Sequence, residues 1–291
     1  MTLRGYLGKF LTGGKTPSPG PAASDPEPAT GPEEPSGPVV HHLGFDIPRR
    51  LAWRTGTLPD FTTVSQKHMV TLRRFGALEQ ARHIVEIGCG VGRDAISLIP
   101  LLPPEGSYLG IDIMPDSIAW AQGHITPRDP RFSFVHFDVA DKQHNPGGTE
   151  TMQDHRIPRA PGSTDLVYLF SVFTHMFPAD LAQYLRDFAR ILRPGGHVVA
   201  TMFVITEGLP AHLLRIGGGG ARNLTFRHEI EPGFFHNDPA VVPGATAYAL
   251  SRLEQEAAAA GLEVTRFALG AWSRSGPPET TGQDVVVFTR P

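Results

Sequence analysis

Between Val85 and Arg93 the chain reads VEIGCGVGR, three glycines spaced two apart directly behind a short apolar run. Gly88 and Gly90 let the backbone approach a bound group closely, and Gly92 lets the helix that opens there pack near the strand before it. The G-x-G-x-G spacing differs from the G-x-G-x-x-G of dinucleotide sites. Asp112 closes the next apolar run, 20 residues beyond Gly92, where a carboxylate can accept hydrogen bonds from both hydroxyls of a ribose. With Glu86 beside them, the glycine triplet and Asp112 point to a nucleoside-containing cofactor; a tight turn with no ligand is the alternative.

His175 and His236 are the candidates for moving a proton, since an imidazole takes one up near pH 7. His175 follows the apolar run 165–170, on the side of an open α/β sheet where ligands bind; its alternative role is to brace that loop. His236 lies in PGFFHNDP (232–239), with Phe234 and Phe235 beside it to wall a ring or a sugar face, against ordinary loop packing. Tyr248, Trp272 and Gln283 are further pocket candidates, whose alternative is packing around the last helix and strands. Asp284 is expected to brace a loop. Glu207 and His212 share the segment of His236 and are not ranked. Arg49, Arg50 and Arg54 read as a solvated basic cluster, and His41 and His42 as an exposed pair. Cys89, the single cysteine, is a small turn residue; it can form no internal disulfide, and one thiol is no zinc site. No metal site is expected, and a reducing, cytoplasmic compartment fits best.

The elements that must position these residues alternate. Val64, His68, Leu72, Phe75 and Leu78 recur at helical spacing over 60–82. Strands are expected at 83–87, 107–112, 132–137, 165–170 and 197–205, with helices at 92–102, 115–125 and 178–193. The last begins at Pro178 and stops at Pro194-Gly195-Gly196. Residues 141–162 read as a polar loop and 206–245 as an irregular insertion with four glycines at 217–220. A helix over 246–260 and strands near 262–269 and 283–289 complete the chain. Repeated βα units argue a mostly parallel sheet with helices on both faces.

The whole chain has 291 residues, 40% of them hydrophobic and 19% charged, with a net charge of −3. That suits a sizeable buried core and implies no broad positive field, so nucleic acid is not the expected partner. No run of 18 apolar residues exists to span a membrane. Residues 15–38 hold eight prolines and three glycines among 24 positions, a composition that cannot bury enough surface to offset its ordering entropy, so 15–40 is expected to be a disordered linker. It joins a peptide, 1–14, to a folded unit spanning 43–291. That peptide is either a frayed terminus or a short amphipathic helix that docks on a partner or a membrane surface.

VEIGCGVGR, LGIDIMP (109–115), HFDVAD (136–141), DLVYLFSVFTHM (165–176) and ILRPGGHVVATMF (191–203) resemble, in order, the motifs of the class I S-adenosylmethionine-dependent methyltransferases. The resemblance covers about 80–205 with specific motifs and runs more loosely to the end. It implies a Rossmann-like α/β fold, a seven-stranded sheet whose last strand is antiparallel. It also implies S-adenosylmethionine as cofactor and S-adenosylhomocysteine as product. The turn from Glu86 through Gly88, Cys89, Gly90 and Gly92 would cradle the methionine part. Asp112 would hold the ribose, Ile113 would line the adenine, Asp138 would take the adenine amino group with Val139 beside it, and Phe170 and Ser171 would lie near the sulfonium. SVFTHM, GAW (270–272) and GQDVVVF (282–288) are similar to a branch found beside bacterial glycan enzymes. Ser273-Arg274-Ser275 departs from that branch where a glycine and arginine often follow the tryptophan, which leaves a sugar acceptor open. The resemblance points to O-methylation of a saccharide or small hydroxylated metabolite; His175 or His236, from their positions and chemistry, would be its base. The alternatives are N-methylation of a small molecule or protein, a nicotinamide-dependent oxidoreductase, and a protein that binds the cofactor without catalysis. The strand exit FSVF lacks the Asn/Asp-Pro-Pro-aromatic pattern of base and glutamine methylation. No acidic cluster matches the magnesium site of catechol-type relatives.

Overall fold

The computed structural model describes residues 39–55, 60–142, 144–206, 224–240, 244–273, 277–280 and 282–291. The expected N-terminal peptide, the linker up to residue 38, Glu207, His212, the glycine run 217–220, Arg274 and Ser275 lie outside the described residues.

The described chain opens with a hairpin, β1 (Val39–His42) and β2 (Phe45–Pro48), ahead of the expected start at residue 43. Helix α1 (Arg49–Arg54) follows, and α2 (Phe61–Phe75) buries Phe61, Ser65, Met69, Leu72 and Phe75. The expected helix over 60–82 ends at Phe75 because Gly76 fits only against Leu166 and Val199, and Ala77 turns left-handed. The inward stripe therefore runs one position away from Val64.

A sheet of seven strands carries the molecule, in the order β12-β13-β7-β6-β3-β4-β5. Its members are β3 (His83–Ile87), β4 (Ser107–Asp112), β5 (Phe132–His136), β6 (Thr164–Phe170), β7 (Leu192–Met202), β12 (Glu263–Ala268) and β13 (Asp284–Thr289). Strands β3 to β7 run parallel, and β13 runs antiparallel beside β7 and β12. Apolar side chains point alternately to the two faces. Ile84, Tyr108, Phe132 and Leu166 meet α2, α3 (Arg93–Leu98) and α4 (Pro115–His124) on one face. Val85, Ile87, Leu109 and Val167 meet α5 (Pro178–Ile191) and α6 (Leu250–Ala260) on the other. Each such side chain contributes about 1.5–3 kcal/mol by burial, so both faces are anchored. Where the second face has no helix between β5 and β6, Met152 and Ile157 of the loop plug it.

The segment expected to be irregular, 206–245, is ordered where it is described. Strands β8 (Val204–Ile205), β9 (His228–Glu231), β10 (Phe234–His236) and β11 (Thr246–Ala249) form a second sheet in the order β8-β11-β10-β9. The expected helix over 246–260 accordingly begins only at Leu250. Phe203, Phe226, Trp272 and half-buried Phe235 pack a small third core beneath this sheet.

Candidate functional site

The chain proceeds outward from β3 through β4 to β5, then returns to the other side of β3 with β6. A reversal of this kind opens a crevice at the carboxyl ends of the two central strands. Gly88 leaves β3 there at φ +76, and a Cβ on it would lie 2.5 Å from Val172 Cγ2, at the exit of β6. Gly90, at φ +54, lies under the Thr55 side chain, whose Oγ1 would be 2.7 Å from a Cβ. The amides of Gly88 and Cys89 donate to Ile111 O at 2.8 and 3.1 Å, which docks the turn on the end of β4.

Asp112 is buried at the end of β4. Its Oδ2 accepts from Gly90 N at 2.6 Å and its Oδ1 from Met114 N at 2.8 Å. Burial raises its pKa, against the pull of these backbone donors. A carboxylate offers about four lone-pair sites; the backbone of Gly90, Met114 and Ile113 engages part of them, and the rest can accept from a hydroxyl. The glycine turn and Asp112 thus meet, and the remaining acceptor positions suit a ribose hydroxyl. Ile113 is half-buried beside Asp112, its carbonyl 3.1 Å from His136 Nε2, a neighbour that sequence reasoning missed.

Glu86 does not face this crevice. Its side chain is buried beneath α3, where Oε2 accepts from the hydroxyls of Tyr108 and Tyr168. Burial, and then the charge of Asp94, push its carboxyl well above the usual range. Asp94 is held low by His68, whose Nδ1 lies 2.6 Å from Asp94 Oδ2. Glu86 therefore belongs to a polar cluster inside the core, and its expected contact with the cofactor is corrected to a structural one. The sequence carried a signal for this cluster in two tyrosines inside otherwise apolar strands. Cys89 is buried, and burial pushes its thiol up, as suits a small turn residue.

Asp138, expected near the adenine, accepts from Asn145 Nδ2 at 3.0 Å and Thr149 Oγ1 at 2.9 Å, bonds that hold its carboxyl below the usual range. Val139 O accepts from the same Asn145. Asp138 and Val139 thus tie the loop 138–150 at the crevice edge.

On the opposite wall, Phe170 is half-buried and its ring stacks on His68, 3.7 Å between centroids. Ser171 sits in the left-handed region at φ +62. Three bonds hold it there: Ser171 N donates to Thr201 Oγ1 at 2.8 Å, Ser171 Oγ to Gln283 Oε1 at 3.0 Å, and Thr174 Oγ1 to Ser171 O at 2.8 Å. Left-handed backbone costs a non-glycine residue about 1–2 kcal/mol, and such strain clusters where geometry serves function. Two residues 112 positions apart are brought together here.

His175 ends the 3-10 turn Phe173–His175, with Nδ1 3.3 Å from Gly244 O. Burial lowers its pKa to about 4, so the ring is neutral at neutral pH. His236 is buried on β10, 6.2 Å from the Phe177 ring, and burial lowers its pKa as well. Two other pocket expectations need correction. Tyr248 is fully buried and its hydroxyl donates to Met176 O at 2.8 Å, so it braces the 173–176 turn. Trp272 is buried against Phe203 and Phe226, its Nε1 donating to Asp284 Oδ2 at 2.6 Å. Asp284 also accepts from Gly270 N and Val204 N, at 2.7 and 2.8 Å, and is the expected loop brace; burial raises its pKa to about 6. His42, read as exposed, is buried: Nε2 lies 2.9 Å from Arg93 O and Nδ1 3.0 Å from Thr62 Oγ1. His41 is exposed beside Asp46. Among the described residues no group of three or more His, Cys, Asp or Glu is arranged to hold a metal ion.

A seven-stranded sheet with an antiparallel last member, a glycine turn and an acidic strand end define a Rossmann-like methyltransferase fold. Residues 85–198 match the family described as "Methyltransferase domain". It is 30% identical over 142 residues to an arsenite methyltransferase of Aquipseudomonas alcaligenes, across 46% of this chain and 38% of that one. It is 27% identical over 131 residues to a probable S-adenosylmethionine-dependent methyltransferase of Mycolicibacterium smegmatis, across 45% of this chain and 42% of that one. These matches thus span only about two fifths of the relatives' lengths. Among solved structures, mitomycin 7-O-methyltransferase shares the fold with a TM-score of 0.53 at 15% identity, over 83% of this chain and 57% of that one.

Proposed function

We propose that this chain transfers a methyl group from S-adenosylmethionine to a hydroxyl of a saccharide or small hydroxylated metabolite. The observation that carries the reading is the switch-point crevice, where the Gly88–Gly90 turn, the lone pairs of Asp112 and the strained Ser171 converge. When bound, the cofactor supplies an electrophilic methyl on a sulfonium. The protein's part is alignment and exclusion of water. Asp112 grips the ribose, Ile113 and the loop tied by Asp138 and Val139 flank the adenine, and Phe170 and Ser171 wall the sulfonium end. Gln283, held by Ser171, and Phe235 line the acceptor side. His175, neutral at working pH and close to the β6 exit, accepts the acceptor's proton; His236 packs beside Phe177 in the small sheet. Among the described residues no helix is long and apolar enough to cross a membrane. The buried free thiol of Cys89 suits a reducing, cytoplasmic setting.

Calorimetric titration with S-adenosylhomocysteine tests the reading, and Asp112→Asn should bind about 100-fold more weakly, the loss of two charge-assisted hydrogen bonds. Absence of binding by the unaltered protein would overturn it. Labelled cofactor with fractionated glycans, lipids and small molecules then finds the acceptor, and labelled amines in place of hydroxyl products would overturn the choice of atom.

A further inference from the structure

His68 belongs to no glycine turn or strand exit, and helical spacing alone places it on α2. Its ring lies flat on that of Phe170, with 3.7 Å between centroids and 18° between planes. Its Nδ1 lies 2.6 Å from Asp94 Oδ2. Phe170 is the last residue of β6, and Asp94 is the second residue of α3, two positions beyond Gly92. His68 therefore bridges two elements that frame the crevice: the helix that the glycine turn opens, and the strand that leads into Ser171. The ring is not sealed there. Its side chain is 18% exposed, against 3% for Asp94. Among the described residues Nε2 is neither enclosed nor hydrogen-bonded to protein.

The charged groups around this ring are unequal in number. Burial works to raise the Asp94 carboxyl, but His68 and Arg93 outweigh it and hold that carboxyl at about 2, so Asp94 is ionised. Arg93 Nε lies 3.6 Å from Asp94 Oδ1. Glu86, the other carboxyl close by, is raised by burial to about 8 and keeps its proton at neutral pH. One carboxylate thus faces two basic side chains. A contact of 2.6 Å between imidazole and carboxylate is of the short, charge-assisted kind. A protonated imidazole is a donor at both nitrogens. With Nδ1–H given to Asp94, Nε2–H is left to donate, and a negative acceptor there completes the balance.

S-adenosylmethionine carries one anionic group, the carboxylate of its methionine part. The glycine turn is the segment expected to cradle that part, and the turn runs directly into the helix that holds Asp94. We propose that His68, braced by Asp94 and stacked on Phe170, donates from Nε2 to the carboxylate of the bound cofactor. The assignment rests on the methyl-donor reading of the crevice and adds to it the residue that recognises the amino-acid end. Asp94 does not touch the cofactor; it orients the ring and sustains its charge.

The test is calorimetric titration of the full chain with S-adenosylhomocysteine, with its decarboxylated analogue, which keeps the amine, and with methylthioadenosine, which has neither group. His68→Phe keeps the stack on Phe170 and removes the donor. It should weaken S-adenosylhomocysteine about 10- to 100-fold, the worth of a hydrogen bond between charged groups, and leave the two probes without a carboxylate unchanged. The unaltered chain should prefer S-adenosylhomocysteine to the decarboxylated analogue by a similar factor, and His68→Phe should erase that preference, so that variant and ligand form a cycle. His68→Gln, which keeps a donor for Asp94, should show the same pattern with a smaller loss and serves where the Phe variant does not fold. Four results would overturn the assignment: an equal loss for all three probes, no loss for any, a loss shared by both amine-bearing probes, or the failure of both variants to fold. An unaltered chain that binds none of the three probes would instead sink the methyl-donor reading itself.

Discussion

Glu86 holds a carboxyl among two tyrosine hydroxyls inside the core, so its proton stays on in the fold at a pH where the unfolded chain has released it. The folded pKa lies above the ordinary 4.5, so its contribution is fully favourable below that value and is lost as pH rises. Glu86→Gln keeps an acceptor for the tyrosines without the charge. It should raise Tm at pH 7–8 by more than at pH 5, since each tenfold change in proton affinity between the folded and unfolded chain is worth about 1.4 kcal/mol; an equal effect at both pH values would show Glu86 to be ionised. His175 works in the other direction. Its pKa of about 4 is below the ordinary 6.5, so the unfolded state binds the extra proton and stability falls as pH drops from 6.5 towards 4. His175→Gln should lose that part of the pH dependence, up to about 3 kcal/mol in urea titrations between pH 7 and 4.5. The identity of these residues was legible in the sequence, but their surroundings were not. Periodicity places Glu86 one residue from a glycine turn, yet the alternation of a strand turns its side chain to the helix face rather than to the ligand.

The element scale explains what could be read. Strands β3 to β7 are apolar runs bounded by glycines and prolines, and the burial of both sheet faces leaves such runs no other place. Their succession along the chain followed, while their order in the sheet is set by tertiary pairing. The insertion did not, because β8, β10 and β11 are two to four residues long, too short for a period to show, and they are ordered by tertiary contacts around Trp272 and Phe203. The two strand exits that frame the crevice are coupled through Gly88 and Val172. Gly88→Ala introduces a Cβ 2.5 Å from Val172 Cγ2 at positive φ, so it should cost about 1–3 kcal/mol in denaturant unfolding and weaken S-adenosylhomocysteine binding. Val172→Ala added to it should recover part of the loss, a non-additivity that a double-mutant cycle reads directly; strict additivity would place the strain elsewhere.

At the scale of the whole molecule, the hairpin at 39–48 belongs to the fold although its sequence sits against a proline-rich stretch that reads as linker. His42 is 1% exposed and ties β1 to the carbonyl of Arg93 at the head of α3, while Arg128 donates to Gly44 O at 2.8 Å and covers the Phe45 ring. A chain starting at Val39 should match the full chain in Tm. One starting at Leu43 should lose about 2–4 kcal/mol, the sum of two buried hydrogen bonds and part of a side-chain burial; equal stability of the two would return the boundary to residue 43.

Gln283 reaches Ser171 only once β13 has inserted between β7 and β12. During synthesis the glycine turn and Asp112 leave the ribosome well over a hundred residues earlier, yet the far wall of the crevice awaits a strand that emerges near residue 289. On the proposed reading, a polypeptide halted before that point holds the glycine turn and Asp112 without Gln283, so prematurely terminated products are expected to bind S-adenosylhomocysteine without turning over.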